Sequence, residues 1–422
     1  MKKLSLILIG GGDRGSCYLK YLNTCPEKFS LVGIAEPVKA KRDYLRDLYG
    51  VPDENCVEDY KELLGREKFA DIVMICTQDR MHYEPAIMAI EKKYHILLEK
   101  PMSITVEECY NIYKKANENG VKGVVCHVLR YTPFYKTLKK FITDGKLGDI
   151  INIVHTEGVG NVHMSHSFVR GNWRRSEEAA PMILAKCCHD TDLLMWLIGE
   201  ECVRVQSFGG LTHFCEKNKP EGAPMRCTDG CPHKDTCFYY APSLYRIDTT
   251  EVGHFRAIVA NKFNPTDEEV DRALLTSQYG RCVYSCDNDV VDHQAVTIEY
   301  KNGTVATLTM SGFNKGGRDT VIMGTKGEIH ANIEEEVMSF YDFATRTTST
   351  IYDPNDLSAI GGHRGGDEGI MADLYDYIAL DKPSDSTSDL SVSCMSHLVC
   401  FAAEEARVKG TTVDMKEYVN SL

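Results

Sequence analysis

Short apolar runs alternate with amphipathic stretches over the first third of the chain. Leu6-Ile7-Leu8-Ile9, Phe29 to Ala35, Asp71 to Cys76, Tyr94 to Leu98 and Lys122 to Val128 have the length and composition of buried strands. Helical patterns stand between them: Ser16 to Leu22, a stretch ending at Tyr49, Asp59 to Leu64, one starting at His82, and Thr105 to Asn119, stopped by Gly120. Strands alternating with helices at this spacing predict a parallel sheet wound on both faces.

The pattern changes beyond Arg130-Tyr131-Thr132-Pro133. Helices are expected at Phe134 to Asp144 and Cys188 to Ile198, and strands at Ile150 to Gly158, Val203 to Leu211, His293 to Tyr300, Val305 to Gly312, Thr320 to Gly324 and Val337 to Tyr341. Turn pairs Asn302-Gly303 and Lys326-Gly327 between such runs point to a mainly antiparallel sheet with one wet face. Residues 212–284 have little apolar periodicity and read as an irregular insertion. Two helices, near Asp367 to Ala379 and Ser391 to Arg407, close the chain. The expected architecture is α/β: a doubly wound nucleotide-binding (Rossmann) domain over 1–128, then an α+β domain with a large open sheet over 129–422, for substrate and oligomerisation. At 422 residues two cores are expected rather than one.

Charge and cysteine content narrow the function. A formal charge of -13 without a Lys/Arg-rich run argues against nucleic acid. No apolar run is long enough to span a membrane, and the segment after Met1-Lys2-Lys3 runs into glycines without a cleavage site. A cytoplasmic protein is expected, in which the 17 cysteines do not form a disulfide framework.

The first strand runs into Gly10-Gly11-Gly12-Asp13-Arg14-Gly15, a G-x-G-x-x-G turn that opens a helix. Gly10 permits the tight turn, Gly12 lets a pyrophosphate approach and Gly15 lets helix pack on strand. Glu36 ends the second strand, where a carboxylate accepts from ribose hydroxyls and repels a 2′-phosphate. NAD is therefore the expected cofactor, although Lys39 and Arg42 nearby would neutralise the extra phosphate of NADP. Glu99-Lys100-Pro101 ends another parallel strand, at the edge of the sheet that faces a ligand crevice, and a cis peptide before Pro101 would be one way to aim Lys100.

These motifs, with Thr77, His82 and Cys188-His189-Asp190-Thr191-Asp192-Leu193-Leu194, resemble the Gfo/Idh/MocA family of glucose-fructose and inositol-type oxidoreductases, densely in the first domain and more loosely in the second. The resemblance implies that Gly10, Gly12, Asp13, Arg14 and Gly15 line the pyrophosphate and Glu36 holds the adenosine ribose. It implies that Thr77, His82, Glu99, Lys100 and Pro101 surround the nicotinamide half. Lys100 would handle the proton of a carbohydrate hydroxyl and His189 would face the nicotinamide, with homodimers or homotetramers as the assembly. Oxidising an alcohol needs a base for the hydroxyl proton while hydride leaves carbon, and lysine and histidine both suit that task.

One departure stands out. Dehydrogenase members usually carry aspartate four residues before the histidine, where this chain has Ala185, followed by Lys186. Either Lys186 supplies another polar group, or the chemistry is that of the NAD-dependent glycosidases, in which transient oxidation at C3 drives elimination and the cofactor is reduced back. A non-catalytic NAD-binding sensor is the reading from another class. Arg130, Tyr131, Trp173, Arg174 and Asp192 are candidates for substrate contact, while Trp173 would equally anchor a loop. His163 and His166 are weaker candidates, expected at the surface. Within the insertion, Cys227, Cys231 and Cys237 have ligand-like spacing for a structural zinc, or an iron–sulfur cluster, with Cys215, His233, Cys282 or Cys286 as the fourth ligand. The alternative is reduced cysteines in a loop.

Overall fold

The computed structural model describes residues 2–262, 264–352 and 362–422. The first sheet contains β1 (Leu4–Ile9), β2 (Phe29–Ala35), β3 (Cys56–Val57), β4 (Ile72–Ile75), β5 (His95–Leu98) and β6 (Gly123–Val125), all parallel, in the order β3-β2-β1-β4-β5-β6. The order reverses between β1 and β4, which opens a crevice beyond the carboxyl ends of those strands. Both faces are covered, so β1, β4 and β5 are almost wholly buried.

The second sheet contains β7 (Ile150–Gly158), β8 (Cys202–Gly210), β9 (His293–Tyr300), β10 (Val305–Ser311), β11 (Gly317–Gly324), β12 (Gly327–Asn332), β13 (Val337–Asp342), β14 (Thr347–Tyr352) and β15 (Val413–Asp414). Its order is β14-β13-β12-β11-β7-β10-β9-β8-β15; β7 and β10 run parallel and the other neighbours antiparallel. One face packs on the helices Cys188–Ile198 and Leu390–Lys409, while the other exposes Ile151, Val154, Phe208, Val337 and Tyr341. β14 and β15 escape the sequence reading as polar or two-residue edge elements, and β12, between β11 and β13, because Ile329 and Ala331 are its only apolar side chains.

Two differences from expectation have packing causes. The helix Gly366–Ala379, counted from sequence with the second domain, packs on the first: Ile370, Met371, Leu374 and Tyr375 join the core around β1 and β2. The insertion is not without a core. Its helices Ala241–Leu244, Thr250–Ala260 and Asp267–Thr276 bury Tyr245, Phe255, Val259, Val270 and Leu274 together with Cys227. The two longer helices start at Thr249 and at the reciprocal Thr266/Glu269 cap, which satisfy first-turn amides that the apolar pattern does not reveal.

Candidate active site

The glycine turn has the geometry a dinucleotide requires. Gly10 has φ +92°, and a Cβ there would lie 2.5 Å from the carbonyl oxygen of Cys76; a Cβ on Gly15 would lie 2.4 Å from that of Gly10. Gly12 starts the helix Asp13–Leu19 without a side-chain cap, and no heavy atom stands within 4 Å of where its Cβ would be. Open space in front of uncapped amides fits a diphosphate. Glu36 is buried at the end of β2, its carboxylate accepting from the amides of Gly11 (2.7 Å) and Val38 (2.9 Å). Arg42 is spent on the Glu36 carbonyl and on Glu58, and Lys39 on Asp43, so both cations beside Glu36 already have partners.

Several residues expected near the cofactor are bonded to one another along the crevice wall. Arg14 donates to Glu99 Oε1 (2.9 Å) and to Asp367 Oδ1 (2.7 Å), the latter brought by the helix Gly366–Ala379. Glu99 also accepts from the Tyr18 hydroxyl (2.6 Å) and the Lys100 amide (2.9 Å). Burial works against its charge, yet Arg14 and Lys100 keep its carboxyl below the usual range. His82 is fully buried, one ring nitrogen 2.7 Å from the Pro101 carbonyl and the other 3.1 Å from that of Thr77, so it pins the two loops together. Thr77 donates to the Met81 carbonyl, and the Asp13 carboxylate stands 3.9 Å from His254 of the insertion.

The Lys100–Pro101 peptide is cis. Lys100 Nζ crosses to the second domain and donates to the backbone carbonyl of Ala185 (2.8 Å), at the break between the helices Met182–Ala185 and Cys188–Ile198. His189, in the first turn of the latter helix, is half-buried and stands edge-on to His127, ring centroids 5.7 Å apart. Two residues that sequence reasoning missed complete this wall. Asp79 is buried beside Lys100 and accepts from Trp173 Nε1 (3.0 Å); burial pushes its carboxyl up despite Lys100 and His82. His127 follows β6, is buried with neither ring nitrogen hydrogen-bonded, and is held well below its ordinary pKa by burial, Arg130 and Lys100. Neither belongs to a short motif, so no local signal marks them.

Lys186 turns away from Lys100 toward Glu157 on β7 (3.2 Å). Glu157 also meets Arg318 (2.8 Å), which binds Asp190 (2.6 Å), which in turn meets His155 Nε2 (2.9 Å). Burial opposes the charge of Asp190, but Arg318 and His155 outweigh it and hold the carboxyl far below its usual range; burial pushes Glu157 up. The remaining substrate candidates are internally engaged. Arg130 and Asp192, 2 % and 1 % exposed, form a bidentate pair at 2.6 and 2.7 Å, which gives each to the other rather than to a ligand. The Tyr131 hydroxyl is buried against Asp373 and Ser388. Arg174 bonds Asp287 (3.0 Å) and Gln278 (3.3 Å), the second of which ties the loop before the His189 helix to the insertion. His166 is not at the surface: it is buried, stacked between Phe255 (4.0 Å) and Tyr279 (4.7 Å), and pushed down to about 3 by desolvation.

A doubly wound domain with a glycine-rich turn, facing a lysine that reaches into an open-sheet domain, defines a two-domain dinucleotide-binding oxidoreductase fold. The chain belongs to the Gfo/Idh/MocA family: residues 4–127 match its oxidoreductase NAD-binding Rossmann fold and residues 139–349 its C-terminal alpha/beta domain. It is 25% identical to the putative oxidoreductase YteT of Bacillus subtilis, over 75% of each chain. It is 28% identical to the 2,7-anhydro-N-acetylneuraminate hydratase of Escherichia coli, over 35% of this chain and 39% of that one. Among solved structures, levoglucosan dehydrogenase in complex with NADH and levoglucosan superposes with a TM-score of 0.73 at 19% identity, covering 98% of this chain and 100% of that one. Among the described residues no helix is long and apolar enough to cross a membrane.

Proposed function

We propose that the protein oxidises a hydroxyl of a sugar, polyol or glycoside, with NAD bound across the glycine turn and Glu36. The observation that carries this reading is the Lys100–Ala185 hydrogen bond, which brings the ammonium ending β5 to the helix break four residues before His189. The nicotinamide, when bound, supplies the hydride acceptor. Lys100, as the neutral amine once one proton has left to solvent, turns from its carbonyl partner to the substrate hydroxyl and accepts the proton of that oxygen while hydride leaves the carbon. His189 accepts or returns a proton on the second-domain side, and Asp79, beside Lys100, helps to hold the ammonium in place. Lys186 acts through Glu157, setting the charge of the wall under the His189 helix. Arg14 and Glu99 brace the crevice rather than touch the reacting centre. The exposed apolar face of the second sheet supports association with a second copy of the chain.

A second reading rests on Ala185. Position 185, four residues before His189, is alanine and offers no carboxylate, and the similarity to an anhydro-sugar hydratase favours a redox-neutral elimination and water addition. Incubating a panel of sugars, anhydro-sugars and aryl glycosides with the enzyme and NAD+ separates the two. Net NADH supports the dehydrogenase, whereas released aglycone or hydrated product without net NADH supports the cycling reaction. Absence of both, with NAD binding intact, would leave a non-catalytic sensor.

A further inference from the structure

The insertion buries a cation that lacks a counter-charge. Arg170, last residue of the π-helical turn Met164–Arg170, is 0% exposed. Its guanidinium donates to the carbonyls of Arg281 (2.7 Å) and Tyr239 (2.6 Å) and reaches Cys227 Sγ at 3.8 Å, while Nη1 has no partner. No carboxylate among the described residues pairs with it. Guanidinium does not deprotonate in proteins, so a buried one requires compensating negative charge.

Cysteines stand on that side. Cys227, Cys231, Cys237 and Cys282 line a small cavity of about 20 Å³ whose other walls are proline, alanine, valine, tyrosine and His233. Such a volume admits one water-sized particle, which suits a single ion and is too small for an iron–sulfur cluster. Cys282 arrives from 45 residues beyond Cys237 through an antiparallel bridge of Arg226 with Arg281, in which the Cys227 amide donates to Gly280 and the Cys282 amide to Met225. That register puts Cys227 and Cys282 on the same face of the pair. Of the other candidates for a fourth ligand, Cys215 and Cys286 do not line that cavity, and His233 has its Nε2 2.8 Å from the Glu221 carbonyl.

We propose that Cys227, Cys231, Cys237 and Cys282 bind one zinc-type divalent cation as thiolates, and that Arg170 neutralises part of the resulting charge. Four thiols release four protons to solvent, and four thiolates with one dication leave a net charge of −2 beside the guanidinium. Among the described residues no three such side chains already surround a common ion position, so closure requires the thiols to turn inward about their Cα–Cβ bonds. The clip would fasten the insertion to the turn that leads, through Gly171, to Trp173 and its bond to Asp79. The assignment is independent of which substrate the crevice takes.

Metal analysis of the full-length protein, expressed with zinc supplied, tests it. About one zinc per chain is expected, and adding a chelator should expose up to four further thiols to a thiol reagent, beyond those that react with the metal-loaded protein. Cobalt substitution should give the thiolate charge-transfer band and intense visible bands of a tetrahedral sulfur site, a readout on the unmutated chain that needs no folded variant. Cys282→Ser should lower zinc content at least tenfold while Cys286→Ser and His233→Ala retain it. A metal-free protein without a cobalt band, or zinc retained by Cys282→Ser or lost from His233→Ala to the same degree, would overturn the four-thiolate assignment.

Discussion

Lys100 Nζ and the backbone oxygen of Ala185 lie 2.8 Å apart, across the boundary between the two domains. The position at which related dehydrogenases carry a carboxylate here contributes only main chain, and the lysine that ends β5 takes that carbonyl as its resting partner. A substrate hydroxyl entering the crevice would take the place of that carbonyl at Lys100 Nζ.

Removal of this ammonium is expected to stop proton transfer while leaving the nucleotide site whole. Lys100→Met should lower kcat by about 10²- to 10⁴-fold, the usual contribution of a positioned acid or base. NAD affinity, measured by fluorescence titration, should change little, because the Gly10–Gly15 turn and Glu36 do not contact Lys100. Undiminished turnover would remove Lys100 from the mechanism.

The Arg130–Asp192 pair should prove to be a stability element. Asp192→Asn leaves a buried guanidinium without its carboxylate, and breaking such a pair costs roughly 3–5 kcal/mol. Denaturant unfolding should show that loss, with KM for substrate unchanged in whatever fraction stays folded. A raised KM at unaltered stability would instead restore the pair to the substrate site.

Acid should weaken the fold well above the carboxylate range. His166 and His397 are buried and pushed down to about 3 by desolvation, and burial lowers His127 as well. Each ring binds a proton more readily when unfolded, where the ordinary value is 6.5. Their contribution is therefore complete above pH 6.5 and is lost as pH falls from there toward 3, by as much as about 1.4 kcal/mol per pH unit for each ring. Thermal melts at pH values above and below the ordinary histidine value of roughly 6.5 should show Tm falling toward acid. His166→Phe, which keeps the stack on Phe255 and Tyr279, should flatten the slope; identical slopes in both proteins would contradict it.

Cofactor choice should turn on Glu36. Since Arg42 and Lys39 are already paired, Glu36→Gln removes the carboxylate charge while an amide oxygen can still accept from Gly11 or Val38. The ratio of kcat/KM for NADP to that for NAD should rise about tenfold, one strong charge contact being worth on the order of 1.4 kcal/mol. An unchanged ratio would place the 2′-position elsewhere.

Sequence by itself determined the elements that rest on local pattern. β1 with its glycine turn, the carboxylate closing β2, the E-K-P corner after β5 and the helix bearing His189 are legible because strand period, turn stereochemistry and helix period are short-range constraints. Strands β7 and β9 fall on their expected bounds for the same reason. Only the tertiary structure decided which charged side chains face the crevice. Arg14 is claimed by Asp367, some 350 residues away, and Arg130 by Asp192; Asp79 and His127 enter the site although no motif contains them. A buried charge takes whatever partner packing brings within about 3 Å, and that partner is fixed by how the helices cross the sheets, a long-range property the hydrophobic pattern of any one segment does not contain.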